Sequence, residues 1–144
     1  MNELLPYALL IPLAGFLVNL AAPDKRERFI FWSALATVGL HALFFLVFTI
    51  HWLLEGRQDI HGEGLVFYQT AEANFSLDYF FDSATFGYFW VAAVLTFLVL
   101  IFSRYYIHRE PGFKRFFNNV LFFYLGLSFI VFAGNLETLF IGWE

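Results

Sequence analysis

Residues 29–54 read FIFWSALATVGLHALFFLVFTIHWLL, twenty-six positions without a charged side chain. A helix rises about 1.5 Å per residue, so this run exceeds the roughly 30 Å of a bilayer's hydrocarbon core and spans it with some tilt. His41, an ionisable group, lies near its centre. A run of this length decides the fold class. Outward from it, the chain is 60% hydrophobic and 14% charged, with 22 phenylalanines among 144 residues. Soluble domains hold closer to 25% charge. The expectation is an all-α integral membrane protein.

On the N-terminal side, Asp24-Lys25-Arg26-Glu27-Arg28 is a short charged loop, preceded by a second uncharged run that predicts a helix over 4–23. Pro6 fits its first turn and Pro12 kinks it. No basic segment and small-residue cleavage site mark a signal peptide, so this run is read as a helix that stays. On the C-terminal side, residues 55–82 carry six acids and one base, Arg57. Within them Asn74-Phe75-Ser76-Leu77-Asp78-Tyr79 alternates polar and apolar, the period of a half-buried strand. Gly64–Gln69 is its expected partner, giving a short β-hairpin that turns across Ala71-Glu72. Uncharged runs then predict helices over 83–103 and 116–134, joined by a basic connection with Pro111-Gly112 as turn signal. A fifth helix starts at Asn135 and reaches Glu144. The architecture is four transmembrane helices plus the start of a fifth, with an extramembrane hairpin loop at 55–82.

Lys and Arg alternate between the loops: three in the first, one in the second, four in the third. By the positive-inside rule, loops 24–28 and 104–119 face the cytoplasm, and the N-terminus, loop 55–82 and Asn135 face the outer side. The fifth helix enters from that side. Glu144 is nine residues beyond Asn135, roughly 13 Å along the axis and near mid-membrane. An acid at that depth costs about 2.5–3.5 kcal/mol on insertion scales, so it either carries a proton or faces a cation or water. A chain ending there leaves its last carbonyls without helical partners in lipid. The expectation is an N-terminal fragment, with the rest of its own chain or a completing subunit supplying what is missing.

Three pieces of sequence carry a resemblance. Phe81-Asp82 opens the third helix. Ser103-Arg104-Tyr105-Tyr106 is followed by Lys114-Arg115-Phe116-Phe117. Most specific is Asn135-Leu136 with Phe140-Ile141-Gly142-Trp143-Glu144. Residues 82–144 resemble the antiporter-like subunits of respiratory complex I, most of all its large distal subunit (subunit L, or subunit 5 in mitochondria). The same family includes the Mrp antiporter large subunit and the membrane subunit of a two-part inorganic-carbon uptake system. Phe81-Asp82 departs from the family's Leu-Asp-Gly-Leu-Ser pattern, with Ser83 and Ala84 in place of Gly and Leu. The first 81 residues match in layout only. The resemblance implies a first third of a longer subunit, in which the fifth-helix glutamate pairs with a lysine on the seventh helix and further lysines and histidines form a proton relay.

Glu144 is therefore the candidate relay residue, with Gly142 allowing close helix contact and Trp143 as packing bulk, interface anchor or cover for the acid. His41 is either a second relay group or a hydrogen-bonded packing histidine. The basic residues of the third connection set topology and offer contacts to anionic lipid or a partner subunit. No cysteine is present. No histidine has a ligand-like neighbour, so no metal is assigned. There is no phosphate-cradling glycine loop, no nucleophile–base pair and no patch suited to nucleic acid, hence no catalytic site and no cofactor. The expected function is proton movement within an NADH:quinone oxidoreductase-type assembly in a bacterial inner membrane. The alternatives are a carbon-uptake or Mrp-type relative and a small structural or assembly subunit.

Overall fold

The computed structural model describes residues 4–62, 64–69 and 74–144. Five helices and four short strands follow in the order α1 (Leu4–Ala21), α2 (Glu27–Leu54), β1 (Ile60–Gly62), β2 (Val66–Gln69), β3 (Asn74–Ser76), β4 (Tyr79–Phe81), α3 (Ser83–Tyr106), α4 (Phe113–Val131) and α5 (Leu136–Trp143). Helices α2 and α3 are long and apolar enough to cross a membrane.

Most helix ends depart from the charge-free runs, and each departure has a local cause. Helix α2 starts at Glu27, inside the charged loop, where an acid in the first turn complements the helix dipole. Helix α3 runs three residues past Ser103 because the Arg104 guanidinium stacks over the Phe31 ring at 4.4 Å. Its start is capped by Asp82, whose carboxylate accepts from the Thr85 N–H at 2.8 Å. That hydrogen bond holds the Asp82 carboxyl below the usual range. Helix α4 begins at Phe113, directly after Gly112 in the left-handed region at φ 107°. It ends at Val131, because the next residues leave the helix for the sheet. Phe80 N–H donates to Phe132 O at 3.0 Å, Gly134 N–H donates to Asp78 O at 2.7 Å, and Ala133 bridges Tyr79.

The hairpin is two nested pieces and not one. Strand β2 pairs with β3 and β1 pairs with β4, both antiparallel. The expected strand over 74–79 breaks at Leu77-Asp78, and the expected turn at Ala71-Glu72 lies outside the described residues. Leu77 and Tyr79 are buried as the alternation implies, but the first pair is reversed. Phe75 is exposed and Ser76 buried, because the Asn135 side chain reaches in and satisfies the Ser76 carbonyl at 2.7 Å.

Helices α1, α2 and α4 pack together, α3 lies against α2 and α4, and α5 lies against α4. The phenylalanines fill two cores. One gathers Leu5, Phe45, Phe48, Trp52, Phe81, Phe89 and Phe132 beside the strands, where the Phe45 and Phe132 rings stack 4.7 Å apart. The other gathers Ile30, Phe31, Leu100, Phe113, Phe117 and Tyr124 at the opposite end. Asn19, fully buried on α1, fastens that end: its Nδ2 donates to Ile30 O at 3.2 Å and its Oδ1 accepts from the Ser33 hydroxyl. Around these cores α1, α2 and α3 expose leucines and valines on their outer faces.

Candidate proton-relay groove on helix α5

Helix α5 is positioned from its first residue. Asn135 caps it: Oδ1 accepts from the Thr138 N–H at 2.9 Å, the bond expected of an N-cap asparagine. The same side chain's Nδ2 donates to Ser76 O at 2.7 Å and to Asp78 Oδ2 at 3.1 Å. One residue thus joins the helix start to the strands. Asn135→Ala is expected to lower stability by about 2 kcal/mol, the cap plus a buried carbonyl left unpaired. Asn135→Asp keeps the cap but sets a carboxylate against Asp78. It is expected to be worse than alanine and to be relieved by Asp78→Asn. Amide hydrogen exchange at Thr138 and Leu139 reads both effects. Protection equal to that of the parent chain in Asn135→Asp would refute the clasp.

Further along, α5 crosses α4 at glycine on both sides. A Cβ on Gly142 would sit 2.7 Å from Phe129 Cβ and 2.9 Å from Gly126 O, and one on Gly126 would sit 2.9 Å from Gly142 O. Such contact between backbones is what small residues permit in membrane interfaces. It sets the end of α5 beside α4, where a groove of about 670 Å³ is bounded by Asn119, Phe122 and Phe123 on one helix and Trp143 and Glu144 on the other. Phe122 lies at the midpoint of α4. Glu144 is the single charged residue lining the groove, whose other walls are largely apolar. Its backbone N–H closes the last helical bond, to Phe140 O at 3.0 Å. Among the described residues it makes no ion pair. Trp143 is exposed and lies beside the acid in the groove wall.

His41 is elsewhere. It is fully buried on α2, at the seam between the two cores. Its ring meets Phe45, Phe89 and Tyr124 edge-on, and its Nδ1 lies 2.9 Å from the Tyr124 hydroxyl. Among the described residues its Nε2 has no hydrogen-bond partner. The structure therefore brings Gly142, Trp143 and Glu144 together and leaves His41 apart from them. Sequence reasoning passed over Tyr124, which sits 83 residues from His41 with no local pattern to link them. Asn135 was visible as the head of the motif but not as a clasp. Among the described residues no group of His, Asp or Glu is arranged to hold a metal ion.

The family model for the N-terminus of chain 5 of NADH-ubiquinone oxidoreductase (complex I) matches residues 67–117. NADH-quinone oxidoreductase subunit L of Pseudomonas aeruginosa is 29% identical over 150 aligned positions that take in 99% of this chain. Over these stretches the chain is similar to the antiporter-like subunits of complex I. Two further relatives agree: NADH-ubiquinone oxidoreductase chain 5 of Pseudosoriculus fumidus is 42% identical, and that of Felis catus 41%, each over 71 residues or 49% of this chain. The chain spans 11% of the length of these two relatives and 24% of the Pseudomonas one. Within the family alignment fall β2 from its second residue, β3, β4, all of α3 and the first turn of α4.

Proposed function

We propose that this chain forms the N-terminal helices of a proton-translocating, antiporter-like membrane subunit in an NADH:quinone oxidoreductase-type assembly. The observation that carries the reading is Glu144: a lone carboxylate in an apolar groove beside the midpoint of α4, on a chain whose relatives are named as oxidoreductase subunits. A carboxylate in such surroundings is stable when protonated or when it faces a cation or water. When a movable cation approaches and withdraws, the acid releases and takes up a proton. The close crossing at Gly142 holds it in place for that exchange.

In this reading α1 and α4 cross the bilayer with α2 and α3, and α5 begins a fifth crossing. The exposed leucines and valines around the bundle then face lipid, which soluble proteins rarely mimic on so broad a surface. The basic loops 24–28 and 104–119 lie on the cytoplasmic side of a bacterial inner membrane and the strands on the outer side. Two contacts between those loops support their common side: Lys114 Nζ to Asp24 at 3.1 Å and His108 Nδ1 to Glu27 at 2.9 Å. Partners are the rest of the subunit, which brings the cation, and the other subunits of the complex.

The test is proton movement by the full-length protein reconstituted with its native partner subunits into sealed vesicles. Addition of NADH and a quinone is expected to acidify one compartment, read by a pH-sensitive dye. Acidification driven by a sodium gradient instead would favour an Mrp-type antiporter. Uptake of bicarbonate driven by a proton gradient would favour the carbon-uptake relative. No proton movement under any of the three would leave a structural subunit and sink the reading.

A further inference from the structure

The cytoplasmic end of the bundle carries a hollow that the proton path does not use. It measures about 530 Å³ and lies between the α1–α2 loop and the turn after α3, bounded by Lys25, Arg26, Arg28 and Phe29 on one side and His108 and Arg109 on the other. The two segments are some eighty residues apart in sequence and meet through the His108–Glu27 contact at 2.9 Å. That contact matters for the charge. Glu27 is the one acid lining the hollow, and it is engaged by His108. The nearby Asp24 is engaged by Lys114. Among the described residues, Lys25, Arg26, Arg28 and Arg109 make no ion pair. Four cations therefore converge on a cleft lined by one acid, whose carboxylate is hydrogen-bonded to His108.

Two further observations give the cleft a ligand class. Arg109 is held in the left-handed region at φ 64°, a conformation that L side chains avoid and glycine adopts freely. Gly112 stands three residues on in the same turn. A long cation kept where glycine fits better points to a task for the side chain. Next to the cleft, toward the bundle, lies an aromatic shelf: Phe29, Tyr105 and Tyr106 are exposed, and Arg104 stacks on Phe31. Cations above exposed aromatic rings match the layering of a phospholipid, phosphodiester above acyl chain.

We propose that this hollow holds the phosphodiester headgroup of an anionic phospholipid, with Arg28 and Arg109 as its principal contacts. The proposal rests on the membrane-crossing reading above. The bound lipid would tie the first and third loops together at the surface where α2, α3 and α4 emerge. Free inorganic phosphate offers the same chemistry without the acyl chains, and the aromatic shelf is what favours the lipid.

The experiment uses the full-length protein in its assembly, placed in bilayer discs of phosphatidylcholine with increasing phosphatidylglycerol. Lipid carried through purification is counted by native mass spectrometry. The parent protein is expected to retain phosphatidylglycerol above its bulk fraction. Arg109→Gly and Arg28→Gln are each expected to weaken that retention about fivefold, the scale of one basic group near a charged surface. Arg109→Gly also relaxes the turn, so its melting temperature is expected to hold or rise. Lost retention in a protein that melts no lower separates the site from misfolding. Equal retention in parent and variants, or no preference over phosphatidylcholine, overturns the proposal. Displacement of the lipid by millimolar inorganic phosphate alone assigns the cleft to free phosphate and overturns the lipid assignment. An alkaline carbonate wash separates the two levels of failure. Protein stripped from membranes refutes the membrane reading, whereas protein that stays embedded without lipid preference refutes the headgroup site alone.

Discussion

Glu144→Gln in the full-length protein is expected to lower proton pumping by about a hundredfold, the lower end of what a positioned proton-transfer group contributes, while leaving the protein at least as heat-stable as before. The two halves of this result come from one cause. On the proposed membrane-crossing reading, an ionised acid at mid-depth costs about 2.5–3.5 kcal/mol on insertion scales, and the amide is of nearly the same size without the charge. Stability therefore holds or improves as function is lost. A residue that merely packs would behave the other way, losing stability and sparing transport. Glu144→Asp keeps the acid but withdraws it by one methylene from the groove wall shared with Phe122 and Phe123, and is expected to retain part of the activity. Pumping unchanged in the glutamine variant would remove Glu144 from the relay. The lone buried histidine is the natural control. His41→Gln removes the ring that faces Phe45, Phe89 and Tyr124, and on the geometry here its effect falls on stability.

Gly15→Ala is expected to destabilise the bundle by about 2 kcal/mol or more, although alanine is the better helix former by about 1 kcal/mol. The reason is the crossing of α1 over α2. A Cβ at position 15 would lie 2.0 Å from Thr37 Oγ1, 2.2 Å from its Cγ2 and 2.6 Å from its Cβ. Thr37 cannot swing aside, being β-branched and tied to Ser33 O at 2.7 Å. All three colliding atoms belong to one side chain, so the clash has a specific cure. Thr37→Gly is expected to rescue Gly15→Ala, with a coupling of about 1–3 kcal/mol in a double-mutant cycle. Thr37→Ala, which keeps the Cβ, is expected to rescue it only in part. Thermal melting in detergent reads the series. Additive effects of the two substitutions would refute the crossing.

How far the fold was legible follows from where its forces are local. The uncharged run at Phe29–Leu54 became α2 nearly residue for residue, because lipid crossing demands an apolar stretch of that length. The ends of the other helices were not legible in charge alone. Arg104 is helical because it finds a ring on α2, and α4 starts early because Phe113 is buried and Gly112 turns left-handed ahead of it. The alternation over Asn74–Tyr79 announced strands and the buried Leu77 and Tyr79, but Phe75 and Ser76 trade faces, since Ser76 is held by a bond from Asn135, 59 residues away. Gly142, Trp143 and Glu144 are consecutive on α5 and line one groove, but its facing wall on α4, with Asn119, Phe122 and Phe123, was not legible in the sequence. The His41–Tyr124 pair was not, because nothing in the periodicity of α2 or α4 encodes which faces meet.

The strap formed by Phe132–Gly134 bears on biogenesis. Strand β4 pairs with β1 on one side, and on the other its exposed backbone groups are taken up by this strap from beyond α4. As the chain emerges from the ribosome, that second side stays unpaired until both α3 and α4 have been made. Unpaired strand edges recruit other chains, so the nascent protein passes through an interval in which its outer loop is adhesive. The strap closes that interval at the moment α5 begins, and Gly134, whose backbone lies where a Cβ would strike Asp78 and Tyr79, is the residue that lets it seat. Completion of α4 is thereby also the step that seals the loop against aggregation.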